Sequence, residues 1–245
     1  MVLRWAPHRL DDAAWIAERV TTFAVDLRSV VPDVFEAYAR VFHPVDGRPW
    51  AAHAAENRRV PHPDMQHHLV TTPPGGEAPP YMDGVDVGSL PEAELRALVQ
   101  VLLARGGDVP CLLAVWDGYG HLQGGGAVST ATSDGRGGRL DGLAPPEVRR
   151  GPVLELPNRA YLLLEATLAE VPDVAAELWH QSPNLWWPDD RAWLVATEID
   201  HAWTYVGGPA DLIGDVVHDP GLEAMRVQPT HRFTVDADLL NEALG

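Results

Sequence analysis

Lysine is absent from this chain of 245 residues, and all 18 basic residues are arginine. Without lysine there is no Schiff-base amine, which excludes pyridoxal-phosphate chemistry of the usual kind. Nor is there a P-loop lysine or the strand lysine of a protein kinase. Cysteine is almost absent. The single Cys111 cannot form an intrachain disulfide and fits a reducing compartment. Positive charge is also short: the 35 acidic residues leave a formal net charge of −17. Such a balance repels a phosphate backbone, so nucleic acid is not an expected partner. No apolar run approaches the roughly 18 residues of a membrane span, so no membrane is expected. The start, MVLRWAPHRLDDAAW, lacks the apolar segment of a secretory signal. A cytoplasmic location is the expectation. There is no GxSxG elbow and no HExxH pair. The run 118–123, GYGHLQ, misses the third glycine of a dinucleotide fingerprint and reads as a turn. No cofactor and no internal repeat are expected.

What the chain does have is tryptophan, concentrated in one stretch. Residues 179–208 hold five of the nine: Trp179, Trp186, Trp187, Trp193 and Trp203. Within it, 191–200 is the best candidate for a central strand. Trp193, Val195, Thr197 and Ile199 point one way, and Leu194, Ala196, Glu198 and Asp200 the other. The second set ends in two neighbouring carboxylates, each of which raises the pKa of the other unless relieved. Trp203 and Tyr205 resume the period of two before Gly207-Gly208-Pro209 stops it. The pattern leaves open a hairpin or one long strand bent by a bulge. Turn-forming residues at 182–184 and 188–190 place Trp186 and Trp187 on a loop.

Elsewhere, residues 20–30 read as a possible strand, and 35–43 as strand or helix. Residues 50–58 form a short helix, and 61–69 add one helical turn. The Pro/Gly-rich stretch 71–88 and the Gly-rich stretch 117–151 are long loops. Between them Ser89 and Glu92 form a capping box for a helix with Leu95, Leu98, Val99, Leu102 and Leu103 on one stripe. Gly106-Gly107 ends that helix. The apolar run 111–116 is a buried strand, in which Cys111 would be inert. Strands are expected at 152–156 and 161–166. A helix follows Pro172 with Val174, Ala175, Leu178 and Trp179 buried, and another follows Pro209. A last strand covers 223–227. The whole reads as a single globular α+β domain over 1–245, with a mainly antiparallel central sheet and helices packed on it.

The segments FEAYARVFHP (35–44), CLLAVWDGYG (111–120), SPNLWWPDDRAW (182–193) and VATEID…TYVGG (195–208) together resemble a family of uncharacterised actinobacterial proteins. That resemblance carries no activity and no catalytic residues. In size and α+β layout alone the chain is similar to the SMI1/KNR4 superfamily of immunity and interaction proteins, an analogy of fold.

The candidate binding set is Trp186, Trp187, Asp189, Arg191, Glu198, Asp200 and Tyr205. Aromatic faces beside carboxylates and an arginine suit a sugar, a cationic group or a partner's side chain. The competing reading is structural, with indoles filling core. His53, His62, His67 and His68 with Asp64 are the densest imidazole group, weighed for metal and not assigned to it. The expected function is a non-catalytic, cytosolic protein-interaction domain, immunity-like in type, with a basic protein as partner. The alternative is a hydrolase acting on glycosides through Glu198 and Asp200, residues close enough in sequence for an acid–base pair.

Overall fold

A computed structural model describes residues 2–80, 82–127 and 139–242. An eight-stranded antiparallel sheet runs through the molecule. Its strands are β1 (Ala37–Phe42), β2 (Pro110–Trp116), β5 (Leu154–Leu156), β6 (Arg159–Thr167), β7 (Leu185–Pro188), β8 (Leu194–Ala196), β9 (Trp203–Gly208) and β10 (Ala224–Val227). Their spatial order is β10-β1-β9-β8-β7-β2-β6-β5. A separate pair, β3 (Gly124–Ala127) and β4 (Arg139–Asp141), lies outside this sheet. The helices are α1 (Leu10–Ala17), α2 (Trp50–Glu56), α3 (His67–Val70), α4 (Glu92–Gly106), α5 (Gly120–Gln123), α6 (Pro146–Arg149), α7 (Val171–Glu177), α8 (Ala210–His218) and α9 (Leu239–Glu242). The fold is α+β, and no described helix is long and apolar enough to cross a membrane.

Both faces of the sheet are covered, so its inner strands are mainly apolar on both sides, with Arg40 on β1 and Thr204 on β9 as buried exceptions. On the first face lie Tyr38, Phe42, Leu112, Ala114, Tyr161, Leu163, Trp187, Trp203 and Tyr205, under α1, α2 and the N-terminal segment. On the second face lie Ala39, Val41, Leu113, Val115, Leu162, Leu164, Trp186 and Val206. They are packed under Leu95, Leu98, Val99 and Leu102 of α4 and Leu212, Ile213 and Val216 of α8. The apolar run 111–116 thus forms an inner strand, β2, between β7 and β6.

Several expectations need correction. Residues 20–30 form no strand. Asp26 instead caps a single 3₁₀ turn, Leu27–Ser29, accepting from the Arg28 amide at 3.0 Å, and a local cap of this kind competes with a sheet ladder. The capping box at Ser89 does not form. Pro91 has an extended ψ of 153° and starts α4 at Glu92, two residues later than that box requires. Ser89 Oγ accepts instead from the Ser182 amide at 2.9 Å. Trp186 and Trp187 lie on β7 rather than on a loop. Trp179 is 58% exposed, because it and His180 adopt positive φ values of 60° and 65° that turn the chain out of α7. Of 191–200 only 194–196 is strand. The alternation survives there, with Leu194 and Ala196 on the first face and Trp193 and Val195 on the second. The choice between hairpin and bent strand resolves to a hairpin: β8 and β9 pair antiparallel, Ala196 opposite Tyr205, with 197–202 as the connection. The stretch 117–151, expected as loop, carries α5, β3, β4 and α6, although 128–138 lies outside the described residues.

Candidate functional site

The β7–β8 hairpin distributes the candidate residues. Leu185 pairs with Ala196 and Trp186 with Val195, so Asp189 and Arg191 occupy the turn at one end. Glu198 and Asp200 lie beyond the other end. At the turn, Arg9 donates to Asp189 at 2.9 Å, and Arg191 lies 5.7 Å from the Trp15 ring. Trp187 is sealed beneath Trp15, ring centroids 6.3 Å apart. Trp186 is buried on the opposite face against Trp193 at 5.4 Å. Tyr205 is buried within the first face. The structure therefore brings Glu198 and Asp200 together and disperses the other five.

At the Glu198 end the sheet is notched. Leu185, the first residue of β7, pairs with Ala114, two residues short of Trp116, the partner of Tyr161. The 197–202 connection folds over this notch and is pinned from behind. Buried Asn184 donates to the Thr197 carbonyl at 3.1 Å and accepts from the Trp116 amide at 2.9 Å. Gly88 backs Ile199 so closely that a Cβ there would lie 2.5 Å from the Ile199 carbonyl oxygen, and its φ of +74° suits glycine. The Gly88 amide donates to the His201 carbonyl at 2.9 Å.

The result is a hollow of about 240 Å³ on the first face. Glu198, Arg159 and Asp200 form one polar wall. Arg159 Nε donates to Glu198 Oε1 at 2.5 Å, and Nη2 donates to Asp200 Oδ2 at 2.7 Å. Glu198 Oε2 accepts the Asp200 amide at 2.6 Å. Glu198 and Arg159 are 11% and 13% exposed at the side chain, whereas Asp200 is 74% exposed. Burial raises the Glu198 pKa, opposed by the Asp200 amide and Arg159. Buried Tyr161 also lines the hollow, and its phenol is pushed up by burial first and by Glu198 second. His201 stacks on Trp203 at 4.4 Å and meets Phe233 at 4.6 Å. Burial, then repulsion from Arg40 and Arg159, lowers its pKa to about 3, so it stays neutral.

The other walls are mainly apolar, formed by Phe23, Val30, Leu156, Leu185, Phe233 and Val235 with three hydroxyl side chains between them. Phe23 covers the Arg159 guanidinium at 4.8 Å, and Val235 at the rim is 61% exposed. Arg159, Tyr161, Phe23 and Phe233 were not among the sequence candidates. They sit at a strand start, on a strand and in two irregular segments, and no spacing rule links such positions.

The remaining chemistry is dispersed. His62 Nε2 meets Asp238 at 2.7 Å, His53 Nε2 the Val45 carbonyl at 3.1 Å, and His67 Nε2 the Asp83 carbonyl at 3.0 Å. Among the described residues no group of three or more His, Cys, Asp or Glu side chains is placed to hold a metal ion. Cys111 is buried, and burial pushes its thiol up to about 12, where thiolate is scarce. Compared with known proteins, the chain matches no family model, no curated protein and no solved structure.

Proposed function

We propose that the chain is a non-catalytic protein-interaction domain whose hollow receives a cationic side chain on an apolar stem from a basic partner. The observation that carries this reading is the composition of the hollow. Two carboxylates face one guanidinium, leaving one formal negative charge beside the apolar walls. A lysine or arginine side chain has the matching profile, an alkyl stem and a charged head. The net charge of −17 adds long-range attraction for such a partner. An immunity-like role against a basic toxin is the form of this reading that the charge suits. Both acids share one arginine and so stand on one wall, whereas a glycosidase places its carboxyls on either side of the scissile bond.

The test uses 4-phenylbutylamine as probe, with 4-phenylbutanol and 4-phenylbutyrate as controls, followed by NMR. The amine is expected to bind and the carboxylate not to. Asp200→Asn should weaken the amine about threefold, the scale of a solvent-exposed ion pair. Equal binding of all three probes, or an unchanged affinity in Asp200→Asn, overturns the reading. Retention of a captured basic protein by an Asp200→Arg, Val235→Asp double variant overturns it at the protein level. One observation favours the hydrolase alternative: burial in the hollow raises the Glu198 pKa, the direction a general acid requires. Turnover of chromogenic glycosides that vanishes in Glu198→Gln would decide for it.

A further inference from the structure

Arg40 is a fully buried arginine on β1, opposite Tyr205 on β9. Its guanidinium carbon lies 4.0 Å from the Trp203 ring centre, 4.5 Å from Phe42 and 5.6 Å from Trp50. Nη1 donates to the carbonyls of Pro63 at 2.7 Å and Met65 at 3.1 Å. Nε and Nη2 meet no acceptor among the described residues. Burial lowers the Arg40 pKa to about 10, so it remains charged at neutral pH. A buried charge is normally paired.

Three acids act on Arg40 from a distance, namely Asp64, Asp238 and Glu223, and each is engaged elsewhere. Asp64 meets His231 Nδ1 at 2.7 Å. Asp238 accepts from the Gln66 amide and from Asn241 and meets His62. Glu223 accepts the amides of Trp50 and Ala51 at 2.6 and 2.7 Å. Beside Arg40, the buried Tyr205 Oη, Trp203 Nε1 and His231 Nε2 make no well-formed hydrogen bond among the described residues, although the Trp203 indole N–H faces the Tyr205 oxygen. Tyr205 faces the His231 ring at 5.9 Å. His231 Nδ1 faces a carboxylate and carries the proton, and a lowered pKa keeps the ring neutral, so its Nε2 can only accept. Even if Tyr205 spends its proton there and Trp203 Nε1 donates to the Tyr205 oxygen, Arg40 Nε and Arg40 Nη2 remain as donors. In direct partners the locus has more donors than acceptors, and its centre is the charged Arg40 guanidinium. Rings packed this closely on the guanidinium leave no room for a bulky ligand.

From this arrangement we infer a second binding site, for a small monovalent anion of halide size, held by Arg40 Nε and Nη2 with the Tyr205 hydroxyl. It is independent of the hollow and of the function proposed for it. A ligand that binds only the folded chain stabilises it by mass action. The experiment measures the thermal midpoint in sodium chloride, bromide and gluconate at fixed ionic strength, for the native sequence and for Tyr205→Phe. Bromide-soaked crystals are then measured at the bromine edge. Expected are a saturable rise of about 3 °C or more in both halides over gluconate and a clearly smaller rise in Tyr205→Phe. An anomalous peak should lie within contact of Arg40 Nε or Nη2. Equal midpoints in gluconate and halide, an undiminished rise in Tyr205→Phe, or a non-anomalous water at Arg40 overturns the inference. Tyr205→Phe deletes one hydroxyl and keeps the ring, so it separates loss of the site from loss of the fold.

Discussion

Acid should unfold this protein through His43, a residue outside the lining of the hollow. His43 is fully buried between β1 and the chain beyond it. Nδ1 lies 2.7 Å from the Asp86 carbonyl, and Nε2 lies 2.9 Å from Thr204 Oγ1. A carbonyl only accepts, so Nδ1 holds the proton and Nε2 accepts from the threonine, an arrangement that needs a neutral ring. Burial, with Arg40 adding repulsion, lowers the pKa to about 4 from the ordinary 6.5. The folded state therefore binds this proton later than the unfolded chain does. The stabilisation is complete above about pH 6.5 and is lost as pH falls from there toward 4. At 1.36 kcal/mol per pKa unit, the loss attributable to His43 approaches about 3 kcal/mol near pH 4. That is a large part of a typical total stability of about 5–15 kcal/mol. His201, lowered to about 3, acts in the same direction. The assay is urea unfolding at steps from pH 7.5 to 4.5, comparing the native sequence with His43→Gln. The variant should be less stable at pH 7.5 yet lose about 2–3 kcal/mol less on acidification. Parallel pH profiles, or an NMR titration of His43 with a pKa at or above 6, would refute the reasoning.

Two further outcomes concern the scaffold around the hollow. Trp187→Ala removes a buried indole packed on Trp15 and should cost about 3–5 kcal/mol in urea unfolding; a cost below about 1 kcal/mol would mean the indole is not core. Asn184→Ala strips partners from the Thr197 carbonyl and the Trp116 amide. It should destabilise by about 2–4 kcal/mol and speed amide exchange across 197–202 before the rest of the sheet, and uniform exchange would contradict its role as the pin of that connection.

Much of the fold was legible because burial follows period. The stripe Leu95, Leu98, Val99, Leu102 buries as its spacing requires, and the apolar run at 111–116 becomes an inner strand. Boundaries set by dihedrals were harder to read. Pro91 delayed α4 past the serine that looked like its cap, and two left-handed residues at 179–180 expelled an indole that periodicity would bury. Trp186 and Trp187 were placed on a loop because turn-forming clusters flank them closely, yet four residues suffice for an inner strand. In the candidate set, only the acids could be joined by local spacing. Arg159 reaches them from a strand three places away in the sheet, a partnership created by topology alone.

That topology also separates the roles of the tryptophan-rich stretch. Apart from the exposed Trp179, its indoles are spent on packing, two of them on opposite faces of one short strand, and this packing makes the β7–β8 hairpin rigid enough to project a connection over the notch. The recognition chemistry on that connection is incomplete by itself. Leu156 and Leu185 line the hollow from β5 and β7, and its remaining apolar walls come from Phe23 near one end of the sequence and Phe233 and Val235 near the other, in segments joined by the Leu27 amide donating to the His231 carbonyl at 2.9 Å. Because these remaining walls lie in irregular segments outside the sheet, they are the parts that can adjust to a ligand at low cost. The Arg159–Glu198–Asp200 group is anchored at a strand start and a pinned loop, and keeps its geometry. Rigid charge beside adaptable apolar walls favours reading one cationic head in a defined place while tolerating variation in the stem behind it.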